Sequence, residues 1–195
     1  MKRFELALVI GMIAAVGLSS VGAFGAQCEE VRAGVLRLHI LANSDEKEDQ
    51  ALKLKVRDAV LNETIEMFSD SDEKAEIEAV TRERLEVFEE AAKAVVKAEG
   101  YDYEVSARIV NMYFETREYE GIKMPAGRYD AVRMTIGEGE GANWWCVMFP
   151  PMCVPAATGK QSLAVEGQIA RLNETPRYIP KFAVVEFIER LRERV

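Results

Sequence analysis

The residues able to carry covalent or metal chemistry in this chain are few: three cysteines, Cys28, Cys146 and Cys153, and a single histidine, His39. A thiol nucleophile needs a base within reach and surroundings that favour the thiolate. The hydrolytic arrangements open to the chain are therefore Cys146 with His39, or His39 with Asp45. Against the first stands the spacing of Cys146 and Cys153, which have six residues between them, Pro150-Pro151 included. In an oxidising compartment that spacing reads first as a local disulfide closing a short turn. A loop so short gains only about 2–3 kcal/mol on the chain-entropy argument, so such a bond fixes local shape more than overall stability. Cys28 is either a free thiol or an intermolecular partner.

His39 with Asn43, Asp45 and Asp49 could form an acid-base or metal cluster at the end of a strand. One imidazole with scattered carboxylates is a poor ligand set, because zinc sites recruit more nitrogen or sulfur donors. A histidine hydrogen-bonded to a neighbour on the open face of a strand fits the pattern better. Gly137-Glu138-Gly139-Glu140-Gly141 has the glycine density of a phosphate-binding loop, but it leads into another apolar strand and offers acidic side chains and no helix N-terminus. It reads as a flexible hairpin turn. No Gly-x-Ser-x-Gly elbow and no His-Glu-x-x-His is present. The sequence predicts no catalytic, metal or cofactor site.

The elements that must position these residues follow from length and periodicity. At 195 residues, 49% hydrophobic and 30% charged, the chain can build one core with some elaboration. Its 25 basic against 33 acidic residues, a net charge of −8, argue against nucleic acid or an anionic membrane surface as the main partner. Leu6 to Ala26 carry no charge and follow Lys2 and Arg3, the pattern of a signal peptide or an N-terminal membrane anchor over residues 1–26. Val21-Gly22-Ala23 and Ala23-Phe24-Gly25 both satisfy the small-residue rule for cleavage, while 21 uncharged residues are also about enough to cross a bilayer. Gln27 before Cys28 departs from the lipoprotein pattern. Loss of residues 1–26, with Lys2, Arg3 and Glu5, would leave the exported part at −9.

Beyond that segment a single domain is expected over residues 34–195. Val35 to Leu41 alternates as a strand, with Arg37 and His39 on one face. Asn43-Ser44-Asp45 supplies N-cap residues, Asp45 with Glu48 resembles a capping box, and a helix is predicted over 46–68. A second amphipathic helix is predicted over 72–99, closed by Gly100, and the short polar connection makes the two an antiparallel pair. The period then changes to two, giving strands over 103–114, 131–137 and 143–149, while 156–180 reads as loop with one short helix and 182–194 as a closing helix. Alternation sends Trp144 and Trp145 to opposite faces. One of them is either an exposed anchor for protein recognition or packs under the helical pair.

At this point the residues become recognisable. Arg37 to Asp45 (RLHILANSD), Asp49 to Asp58 (DQALKLKVRD), Pro125-Ala126-Gly127 and Asn143 to Cys153 (NWWCVMFPPMC) strongly resemble the stage II sporulation protein R family, and the likeness covers roughly Gly34 to Val154. The resemblance implies a signalling protein of endospore formation, secreted from the forespore into the space between two membranes. Its partner would be a membrane-embedded aspartic protease of the mother cell, which processes the pro-form of sigma-E. It further implies a ligand without an active site of its own. We take His39, Asn43, Asp45, Trp144 and Trp145 as candidate partner-binding residues, with a secreted cysteine or His/Asp hydrolase as the alternative. The fold expected is α+β: a small, mostly antiparallel sheet covered by a long antiparallel helix pair, plus a C-terminal helix.

Overall fold

The structure, a computed structural model, describes residues 3–68, 73–119, 122–150, 167, 169–170 and 179–194. The chain packs as two compact units, one made of Gly34–Met112 and Arg128–Glu166, the other of Met1–Ala33, Tyr113–Gly127 and Gly167–Val195. The helices are α1 (Arg3–Ala33), α2 (Lys47–Met67), α3 (Lys74–Glu83), α4 (Leu85–Ala98) and α5 (Ile179–Glu193). The strands are β1 (Leu36–Leu41), β2 (Val105–Phe114), β3 (Arg117–Tyr119), β4 (Ile122–Met124), β5 (Gly127–Ile136) and β6 (Asn143–Phe149). The class is α+β, and the four predicted strand regions form one sheet.

The sheet order is β2-β5-β1-β6, so the first strand in sequence lies inside the sheet. β1 runs parallel to β5 and antiparallel to β6, which makes the sheet mixed. An interior strand covered on both faces should read as an almost continuous apolar run. Leu36 to Leu41 departs from that rule, because Arg37 and His39 alternate with the apolar residues, yet all six residues are buried. Leu36, Leu38 and Ile40 face the helices together with Val132, Met134, Ile136, Cys146 and Met148. Leu52, Val56 and Val60 of α2 and Phe88, Ala92 and Val96 of α4 close that core from the other side. The 3.6-residue spacing of these apolar positions puts each set on one helix face.

α2 and α4 pack against each other, and Lys55 in the first half of α2 bonds Glu99 just past the end of α4 at 2.6 Å. The second predicted helix is interrupted: α3 and α4 meet at Arg84, whose φ and ψ of −116° and 22° are not helical. Neither glycine nor proline stands there, so nothing in the residue types marks the break. At the outer edge of the sheet the Ala107 amide donates to Glu89 Oε1 of α4 at 2.7 Å. That bond, more than any other influence, holds the Glu89 carboxyl below its ordinary pKa, and it occupies an edge amide that would otherwise be open to strand addition.

In the other unit, Phe24, Cys28, Val31 and Arg32 of α1 are buried. Phe24 meets Phe182 of α5 edge-on, ring centres 5.0 Å apart. Arg32 donates to the Ala126 carbonyl at 2.8 Å and pairs with Glu29 and Glu189. β3 and β4 form an antiparallel hairpin; residues 120–121 between them lie outside the described residues, as does nearly all of 156–178.

Candidate functional site

Because β1 lies between β5 and β6, the segment that joins those two strands crosses over the C-terminal end of β1. Residues 137–142 are thus no hairpin turn, contrary to the sequence expectation. They pass directly over Ala42 to Asp45, where the chain leaves β1 for α2, and the two segments are bonded together throughout.

Every backbone N–H from Gly137 to Ala142 has an acceptor. Gly137 donates to the Glu104 carbonyl at 2.8 Å, Gly139 to that of Ile136 at 3.2 Å, Glu140 to that of Asn43 at 3.1 Å and Gly141 to that of Ala42 at 3.0 Å. Glu138 donates to Asn43 Oδ1 at 3.0 Å and Ala142 to Asp45 Oδ1 at 2.6 Å. The Ala142 carbonyl accepts from Lys53 Nζ at 2.7 Å. A loop whose amides are all engaged cannot also cradle a phosphate, which needs those same donors. The glycines serve this close crossing. Gly137 holds a left-handed φ of +57° with Asn43 against it, and a Cβ on Gly141 would run into the Ser44 carbonyl.

Asn43 is the hinge pin of this arrangement, since its oxygen takes the Glu138 amide while its nitrogen donates to Asp49 Oδ2 at 2.8 Å. Ser44 Oγ donates to the same carboxylate oxygen at 2.7 Å. Burial pushes the Asp49 carboxyl up, but the hydrogen bonds from Ser44, Asn43 and Tyr103 outweigh it and leave the pKa below the ordinary aspartate value. Asp45 turns to Ala142, so it is not the helix cap that its position suggests; Ser44 Oγ instead accepts from the Glu46 amide at 3.2 Å. Of the group His39, Asn43, Asp45 and Asp49, the structure brings Asn43 and Asp49 into direct contact and sets Asp45 against the same loop, with Lys53 and the loop glycines, which the sequence did not single out for this, as their partners. The only signal for the latter was the glycine spacing itself.

His39 sits elsewhere. It is buried, lies directly across from Trp145 in the β1–β6 register, and stacks on that indole with ring centres 3.9 Å apart and planes 3° from parallel. Its Nε2 lies 2.7 Å from Asn143 Oδ1, at hydrogen-bond distance. Trp144, one residue on, faces the opposite side, half-buried against the helix-covered core, with the Arg57 guanidinium of α2 4.5 Å from its ring centre. Alternation therefore separates the two tryptophans as the period predicts, one stacked on histidine and the other beneath arginine. Arg37, buried completely, donates from Nε to the Cys146 carbonyl at 3.0 Å and lies 5.0 Å from the Tyr129 ring centre.

Cys146 is buried and disulfide-bonded, which removes its sulfur as a nucleophile; Cys153 lies outside the described residues. Cys28 is a free, buried thiol, and burial pushes its pKa up to about 12. With His39 spent on Asn143 and Trp145, and Asp45 on Ala142, neither hydrolytic arrangement is assembled. Among the described residues no group of three or more His, Cys, Asp or Glu could hold a metal ion. The cluster positions backbone and builds a shaped edge: Asp45, Glu138, Glu140 and Asn143 are exposed around it and Trp145 is half-exposed.

The stage II sporulation protein R family model matches residues 32–158, a range that contains the whole crossing, from Ala42–Asp45 to Gly137–Ala142. The chain belongs to that family. Stage II sporulation protein R of Bacillus subtilis (strain 168) is 42% identical over 118 residues, which make up 60% of this chain and 53% of that relative. The chain thus spans about half the length of the curated relative it matches. No solved structure is found to match it. Within the matched range fall His39, Asn43, Asp45, Trp144, Trp145 and the disulfide-bonded Cys146.

Proposed function

We propose that this protein is an intercompartmental signal of endospore formation: exported across the forespore membrane, it activates a membrane-embedded aspartic protease of the mother cell that processes the pro-form of sigma-E. The family match carries this reading. The site supports it, because the residues that could have been catalytic are committed to structure and leave a rigid, acidic, aromatic-edged surface instead. A ligand of this kind works by binding the active state of its receptor better than the inactive one, and by no more than that difference.

Within the candidate contact set, we propose a division of tasks from what each side chain touches, since Trp144 and Trp145 are buried to a similar degree. Trp145, half-buried on the face away from the helices, and Asp45, exposed, would meet the receptor; His39 and Asn43 would hold them, through the indole stack and the loop clamp. Trp144 orients α2 through Arg57. The test is co-expression of the full chain with the receptor protease and its sigma-factor precursor, following precursor cleavage by immunoblot. Cleavage that depends on this chain is the expected result. Cleavage of equal extent when the chain is omitted would refute the proposal.

A further inference from the structure

Two stretches of α1 live in different surroundings. Along the first, apolar side chains are exposed on every side of the helix: Phe4 is 77% exposed, Ile13 67% and Leu18 75%. Along the second, Phe24, Cys28 and Val31 are 1% exposed or less. Their spacing of four and three residues puts them on one helix face. Phe24 sits against Phe182 of α5, and the Lys181 ammonium lies 5.8 Å from its ring centre. The helix is continuous from Arg3 to Ala33 and passes through Gly22 and Gly25 without a break.

The two bonds singled out above by the small-residue rule, Ala23–Phe24 and Gly25–Ala26, lie inside that unbroken helix and flank the buried ring of Phe24. A protease reads extended backbone, so once the chain has folded, cutting either bond requires the helix to unwind and Phe24 to leave its place beside Phe182. A cut after Gly25 would remove Phe24 from the folded unit altogether. The exposed stretch needs its own explanation, since an all-round apolar helix surface of this size is stable only where water is absent. Leu6 to Ala26 hold no charge, Lys2 and Arg3 precede them, and Glu29 and Glu30 follow. At 1.5 Å per residue the uncharged run is about 30 Å long, the thickness of a bilayer's hydrocarbon core. α1 is long and apolar enough to cross a membrane. The basic residues at its start set the orientation, with the N-terminus cytoplasmic.

We infer that the N-terminal segment is retained as a single-pass anchor, with the lipid bilayer as the partner of its exposed apolar surface and Phe24 as the point where the membrane helix becomes part of the folded unit. The inference does not depend on the receptor reading. A signal held in this way acts from the membrane that exported it and does not diffuse.

The full chain, produced with a C-terminal tag in an exporting bacterial host, tests this by N-terminal mass spectrometry of the processed protein together with alkaline carbonate extraction of the membranes. The expected result is a chain that still contains residues 3–23 and stays in the carbonate-resistant pellet. A product whose N-terminus lies anywhere from Leu18 to Gln27 overturns the inference whichever fraction holds it. A full-length chain released by carbonate overturns it too, because a spanning helix resists that wash.

Discussion

Replacing Asn43 with alanine isolates the clamp between the β1–α2 turn and the loop over it. The substitution deletes the bond from Nδ2 to the Asp49 carboxylate and the one from the Glu138 amide to Oδ1, and leaves the backbone bonds from Glu140 and Gly141 in place. A hydrogen bond to a charged group contributes about 1.5–3 kcal/mol, and one to a surface amide that water can replace contributes near the low end of about 0.5–1.5 kcal/mol. A total loss of about 2–3 kcal/mol follows. With a urea slope of about 2 kcal/mol/M, the unfolding midpoint falls by about 1–1.5 M. Both tryptophans of the protein, Trp144 and Trp145, belong to the unit that carries the clamp, so indole fluorescence reports on that unit alone. Amide exchange supplies the local readout: Glu138 to Ala142 should exchange faster in the variant. The pH dependence has a definite sign. Asp49 titrates lower in the folded protein than in the unfolded chain, so its contribution is complete above the unfolded value of about 4 and is lost as pH falls through the folded one. The gap between parent and variant should therefore be widest at neutral pH and narrow in acid. A midpoint shift below about 0.25 M at pH 7, a loss of about 0.5 kcal/mol at that slope, together with unchanged exchange at Glu138, would refute the clamp.

Two further outcomes follow from the same geometry. Gly141→Ala places a methyl group against the Ser44 carbonyl and should lower stability by about 1–3 kcal/mol, as overpacking does, readable as a drop in the thermal midpoint. Cys28 should resist iodoacetamide at pH 8 in the folded protein and react on unfolding, because its thiolate forms only as pH approaches about 12; fast labelling of the native protein would show that the α1 packing is wrong.

Much of the architecture was legible in the residues because it rests on local periodicity. The alternation of Val35 to Leu41, the 3.6-residue stripes of α2 and α4 and the period-two runs of the later strands each identify an element from its own side chains. The opposed tryptophans follow from the pleat alone. The break at Arg84 did not show, since the local sequence there contains no helix breaker.

The sequence by itself determined the elements, the apolar N-terminal segment and the family, all properties of contiguous residues. Only the tertiary structure decided what Asn43, Asp45 and the three loop glycines do. Their roles depend on strand order: with β1 between β5 and β6, the 137–142 segment must cross the end of β1, and residues about 95 apart in the chain become hydrogen-bond partners. Spacing along the chain says nothing about such a crossing, because a loop that joins adjacent strands and one that passes over a third can use the same glycine-rich residues. The same limit applied to His39, whose place in an interior strand buried it against Trp145 and turned a candidate base into part of the frame.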